Sequence, residues 1–168
     1  MDNIQTGVNE GGNEGGNEGD TADKYASNID LNTGEKVANA YIDKATIEGK
    51  EYDVVKLGTS KKSGTWISPA LKAGATELAF YGIAWKGNAT KLTVSVENGG
   101  SFENGQTSQV VDLAANDGAT GNAPYTITPS ESDLKSFKLK DVTANTTIKF
   151  TTDGEKKTRA IMFGINVK

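Results

Sequence analysis

A chain of 168 residues with neither cysteine nor histidine can build one domain and a tail, but no disulfide, no Ser-His-Asp or Cys-His nucleophile and no zinc site on those ligands. Its formal charge of −4 is unevenly placed: Asp2, Glu10, Glu14, Glu18 and Asp20 open the chain with no base among them, and the rest is close to neutral, with Arg159 the lone arginine among lysines. Such a body excludes a nucleic-acid surface, which needs clustered cations and arginine forks, and no apolar run approaches the ~20 residues that cross a bilayer.

Residues 1–23 are low in complexity. Asn9-Glu10-Gly11-Gly12 repeats as Asn13-Glu14-Gly15-Gly16 and fades through Asn17-Glu18-Gly19-Asp20. A stretch this polar cannot bury enough apolar area to offset its ordering entropy, so it predicts a flexible acidic tether or a tail without a task. Met1 is followed at once by polar residues, which reads either as a chain that is not exported or as a mature form whose leader has been cut away.

The domain is expected over 24–168. Val37, Ala38, Tyr41 and Ile42 have helical spacing, so a short helix or extended arm is expected over 24–44. Strands follow near 45–48 and 52–58 as a hairpin. Gly58–Gly64 is a polar loop, and Thr65–Ser68 a strand that Pro69 ends. The stretch Thr76–Gly100 organises the remainder. Leu78, Phe80, Gly82 and Ala84 alternate with Ala79, Tyr81, Ile83 and Trp85, so this strand is apolar on both faces. After the turn Lys86–Ala89, Leu92, Val94 and Val96 alternate with Lys91, Thr93 and Ser95. The pattern predicts a hairpin with one wet face.

Short strands continue near Ser101–Phe102, Ser108–Leu113, Phe137–Leu139 and Thr146–Thr151. Tyr125–Thr128 lies between two prolines and is at best an edge strand. Asp153–Lys156 is a hairpin turn. The last strand sets Ile161, Phe163, Ile165 and Val167 against Ala160, Met162, Gly164 and Asn166. About nine or ten strands with turns every ~8–12 residues predict an all-β antiparallel sandwich of jelly-roll type, whose ends pair in one sheet and whose interior holds Phe80, Ile148 and Phe163 together.

Lys56–Gly64, the strand Phe80–Gly87 and the closing Arg159–Ile165 resemble galactose-binding-like β-sandwich domains of bacterial surface lipoproteins. The resemblance covers about residues 45–168. It implies a sandwich that often binds sugar and often carries a structural calcium, but it transfers no ligand residue. It also implies the outer surface of a bacterium, extracellular or on the outer membrane, with a lipid anchor on an N-terminal cysteine since removed or replaced.

Sugars are held by aromatic faces with planar polar groups beside them. Trp66, Trp85 and Tyr125 are the candidate rings, although an ordinary core would also use them; Tyr81, mid-strand, is expected to pack inside. Arg159 is in phase with Ile161 and Phe163. A charge there must fork onto a ligand or pair internally with an acid such as Asp53 or Glu77. Oxygen ligands for calcium could come from Asp112, Asn116, Asp117 and Asn122, or from Asp30, Asn32 and Glu35, though Asx-rich turns form without metal. Carboxylate pairs such as Asp112 with Asp117, or Asp141 with Asp153, are the remaining route to a glycosidase. The expectation is a non-catalytic surface module that binds carbohydrate. The alternatives are an adhesin or spacer that binds a surface protein and, after it, a hydrolase.

Overall fold

The computed structural model describes residues 23–168. Residues 1–22, nearly all of the expected tether, lie outside them. Among the described residues, twelve strands form two sheets. One sheet runs β1 (Glu35–Ala38), β4 (Thr65–Ile67), β11 (Thr147–Thr152), β6 (Thr90–Glu97) and β8 (Ser108–Leu113). The other runs β7 (Ser101–Phe102), β10 (Leu134–Lys140), β5 (Glu77–Ala84), β12 (Ala160–Val167), β3 (Lys50–Leu57), β2 (Ala40–Ile47) and β9 (Tyr125–Ile127). Trp66, Phe150, Leu92, Val94 and Ile148 from the first sheet meet Leu57, Leu78, Phe80 and Met162 from the second in the main core.

The strand that is apolar on both faces, β5, sits between β10 and β12 and has both faces covered. Leu78, Phe80 and Ala84 enter the main core. Tyr81, Ile83 and Trp85 enter a second apolar layer on the outer side of the seven-stranded sheet, with Val54, Ala45, Ile161 and Phe163. Two buried faces on one strand are why its sequence shows no wet phase.

The second layer and the sheet order correct three expectations. Phe80 and Ile148 share the main core, but Phe163 does not: it stacks on Tyr81 in the outer layer, with ring centroids 5.4 Å apart. The main core takes Ala160 and Met162 from the opposite phase of β12, and Ile165 only after the register shift between Phe163 and Asn166. Period-2 alternation separates two faces but cannot say which is which when both are buried. Nor are β5 and β6, or β11 and β12, hairpins. Each pair straddles the two sheets, and Lys86–Ala89 is a corner. β6 pairs instead with β11, setting Val94 against Phe150 and Val96 against Ile148. Lastly, β9 joins the edge of its sheet as expected but runs parallel to β2.

The β2–β3 hairpin is real and complete, from Ala40 opposite Leu57 to Ile47 opposite Lys50. Glu48 and Gly49 form its loop with φ of 53° and 80°, the paired positive values that match strand twist in a two-residue turn. The helical spacing before it misleads. Residues 35–47 form two strands broken at Asn39, where φ is 46°, and Val37 and Tyr41 are both exposed.

The first strand, β1, lies in the five-stranded sheet, so the terminal strands do not pair as expected. The segment before it reaches β12 instead. Asn28 N donates to Ile165 O at 3.0 Å, Ile165 N to Ser27 Oγ at 2.9 Å, and Val167 N to Asn28 Oδ1 at 2.9 Å. Tyr25 closes the outer layer, edge-on to Tyr81 at 5.2 Å. Asp23 holds this arm down by accepting from Tyr52 Oη at 2.6 Å and Lys50 Nζ at 3.0 Å. Burial pushes its carboxyl up, but the bonds from Tyr52 and Lys50 outweigh that and leave it below the ordinary value of 3.8. A depressed carboxyl stabilises above its unfolded value and loses that contribution as pH falls through the folded one. Asp23→Asn should therefore cost about 1 kcal/mol at pH 7 and almost nothing near pH 2. Hydrogen exchange at pH 7 should show the loosening confined to residues 23–28.

Candidate functional site

Strand register assembles a polar group at one end of the outer face of the seven-stranded sheet. Lys56 on β3 stands directly opposite Tyr41 on β2 and Ile161 on β12. Ala160 pairs with Ala84, so Arg159 faces Trp85 just beyond, where Trp85 N donates to Arg159 O at 3.1 Å. Directly opposed side chains touch, and diagonal ones two residues away remain within reach of long chains. Tyr41 and Lys56 are level with Ile161 and Ile83, and Arg159 and Trp85 stand two residues along on the same face, just outside β12 and β5, so the four form an oblique row at one end of the sheet.

The contacts follow from that row. The Arg159 guanidinium lies over the Trp85 ring, 4.0 Å from its centroid. Lys56 Nζ sits 5.4 Å from the same centroid and 5.0 Å from that of Tyr41. Each such contact is worth about 0.5–2 kcal/mol, more as water is excluded. Burial pulls the Lys56 amine below its ordinary value, the Arg159 charge adds to this, and Asp43 partly opposes it. Among the described residues, the Arg159 side chain makes no ion pair, and its buried Nε has no hydrogen-bond partner.

Tyr125 arrives from outside the row. After β8 the chain returns to the end of β5, where Asn116 N donates to Ala84 O at 3.0 Å and Lys86 N to Ala119 O at 2.9 Å. It then crosses to the β2 edge as β9. Tyr125 meets Trp85 edge-on at 5.8 Å and donates to Asp43 Oδ2 at 3.3 Å. Burial, then the Asp43 charge and bond, push its phenol up to about 12.

Three of the four residues singled out in the sequence therefore come together: Trp85, Tyr125 and Arg159. Their roles differ from expectation. Trp85 and Tyr125 are 7% and 4% exposed, so they are a floor under the cation rather than open faces for a sugar. Trp66 is not in the group at all. It is fully buried in the main core, stacked on Phe150 at 5.9 Å, and has no face to offer a ligand. Arg159 also lacks the internal acid suggested for it, since Asp53 pairs with Lys44 at 2.6 Å and Glu77 with Lys168 at 3.8 Å. The open ring is Tyr41, 41% exposed. Tyr41 escaped notice because the helix-like reading of 37–42 hid its strand, and Lys56 because its own strand does not show what lies opposite it.

The Asx-rich turns make local hydrogen bonds. Asn116 Oδ1 accepts from Gly118 N and its Nδ2 donates to Thr128 O, while Asp30 Oδ1 accepts from Asn32 N, which is turn chemistry. No group of three acidic side chains converges among the described residues. A hollow of 480 Å³ between Lys91, Asp112, Asp133 and Lys135 has no aromatic lining. There a bond and then the charge from Lys91 hold the Asp112 carboxyl below its usual range, opposite to what a general acid needs.

No family model matches the chain, and no curated protein matches it. Among solved structures it is similar to a carbohydrate-binding module, CBM61, in complex with β-1,4-galactotriose, at 13% identity over 69% of this chain and 70% of that one, with a TM-score of 0.38. It is also similar to an exo-β-agarase, at 11% identity over 80% and 22% of the two chains and a TM-score of 0.46. A third is the CBM22-1–GH10 part of the Clostridium thermocellum endo-1,4-β-D-xylanase 10B with xylohexaose, at 11% identity over 83% and 26% and a TM-score of 0.47. The chain spans about a quarter of the latter two. Likeness at this level carries no ligand with it.

Proposed function

We propose that this domain is a non-catalytic saccharide-binding module, displayed at a bacterial surface, whose site is the Tyr41–Lys56–Arg159 row over Trp85. One observation carries the reading. A half-open tyrosine ring lies in line with two cationic donors on a rigid sheet, and the donors rest on aromatic rings rather than on partner acids. A flat ring takes the apolar face of a sugar while fixed donors take its oxygens. Strands place such groups more precisely than loops do. Nothing in the row supplies a paired acid and base, so binding without bond cleavage is what the geometry offers.

A glycan array followed by titration calorimetry tests this. At least one plant, host or microbial glycan should bind. Tyr41→Ala should weaken that glycan at least tenfold, roughly the 1.4 kcal/mol of one stacking contact. Val110→Ala, at a more exposed residue on the other sheet, should leave it unchanged. Silence across the array would end the proposal.

A further inference from the structure

We infer that the saccharide taken at this row is acidic, with its carboxylate or sulfate seated between Arg159 and Lys56. The inference rests on the saccharide reading above and narrows its ligand class.

Two like charges share one indole. Lys56 Nζ and the Arg159 guanidinium lie 5.4 and 4.0 Å from the same Trp85 centroid. The ring quadrupole attracts both but neutralises neither. Asp53 is paired with Lys44 and Glu77 with Lys168, so neither acid suggested for Arg159 reaches it; Asp43 is the acid that acts on Lys56, through its charge and without an ion pair among the described residues. Asp43 accepts from the Tyr125 hydroxyl. Among the described residues, then, Arg159 makes no ion pair, and its Nε is buried without an acceptor.

A guanidinium with an unused fork matches a planar or tetrahedral oxyanion, which can accept two bonds at once. A neutral hydroxyl would fill one donor and leave the two cations facing each other. An anion fills the fork and removes that repulsion as well. Its charge also offsets the like-charge effect of Arg159 on the Lys56 amine. Geometry fixes where the sugar lies. From β2 to β12 is two strand spacings, about 10 Å, and Arg159 stands two residues, about 7 Å, along from Ile161, the residue level with Tyr41. A ring stacked on Tyr41 and an acidic group at Arg159 therefore belong to the same or adjoining units of one chain.

The test uses the full chain and two matched pairs, polygalacturonate against its methyl ester, and dextran sulfate against dextran, by titration calorimetry. The charged member of at least one pair should bind at least tenfold tighter, and the pair that does so names the anion. Arg159→Gln and, independently, Lys56→Gln should each remove most of that preference. Arg159→Lys should keep part of it, because the charge survives without the fork. Affinity should fall as salt rises. Lys149→Gln, on the other sheet, should change nothing. Equal binding within both pairs, no binding to any of the four, or an equal loss in Lys149→Gln would overturn the inference. Capture of neutral glycans on the array in a Tyr41-dependent way would sink this inference alone and leave the saccharide reading standing. A blank array would sink both.

Discussion

Phe80→Ala is expected to destabilise the domain by about 4 kcal/mol and to lower its melting temperature by on the order of 10 °C. Phe80 has no exposed surface. It stands on β5 in the middle of the sandwich, edge-on to Phe150 of the opposite sheet at 5.2 Å and stacked on Phe137 of its neighbour β10 at 6.3 Å. Removing the ring forfeits its transfer from water and both aromatic contacts. It also leaves a hole between two sheets whose hydrogen-bonded backbones cannot collapse to fill it. Phe80→Met keeps most of the volume and should cost less than about 1.5 kcal/mol. Urea denaturation of the two variants checks both figures. An alanine variant within 1 kcal/mol of the parent would mean that the sheets do not meet over this residue.

Gly118→Ala is expected to act on the site rather than on the core. A Cβ at Gly118 would stand 1.8 Å from the carbonyl oxygen of Thr126 and 2.9 Å from its carbon. Both are backbone atoms, so no side chain can swing aside to relieve the clash. Relief comes only if the crossing segment lifts away from β9. That strand has three residues at the edge of its sheet, so it yields before the core does. The variant should lose about 2–3 kcal/mol, lose protection from hydrogen exchange over residues 116–127, and let Tyr125 leave Trp85. With the floor under Arg159 loosened, affinity for the ligand should fall tenfold or more while the main core keeps its exchange protection. Unchanged exchange at 116–127 would contradict this account of the crossing.

These expectations draw on different levels of the chain. The class of fold was legible because alternation is local. Leu92, Val94 and Val96 mark a core face wherever their strand lies, and the double-faced greasiness of Leu78–Trp85 already requires cover on both sides. The β2–β3 hairpin was legible for the same reason, although the expected strands 45–48 and 52–58 put its connection at 49–51 instead of Glu48-Gly49. Other features were hidden by geometry. Nothing within Lys86–Ala89 says whether the next strand returns beside β5 or crosses to the other sheet. Nothing within Ile161 and Phe163 says that a second apolar layer, closed by Tyr25, covers the outside of their sheet.

The site shows the same division. Composition alone made Arg159 conspicuous and limited the chemistry to rings, lysines, hydroxyls and carboxylates. Its partners are set by strand order: Tyr41, Lys56 and Trp85 lie up to 118 residues from Arg159 along the chain, and antiparallel register brings them to one face at one end of the sheet. Which rings would be open was likewise a tertiary matter, because exposure depends on what packs above a residue. Trp66 met the opposite sheet and was buried, Trp85 met a cation, and Tyr41 near a sheet edge stayed 41% exposed beside Lys56. Residue type and alternation follow from neighbours in the chain, whereas charge pairing and access follow from neighbours in space.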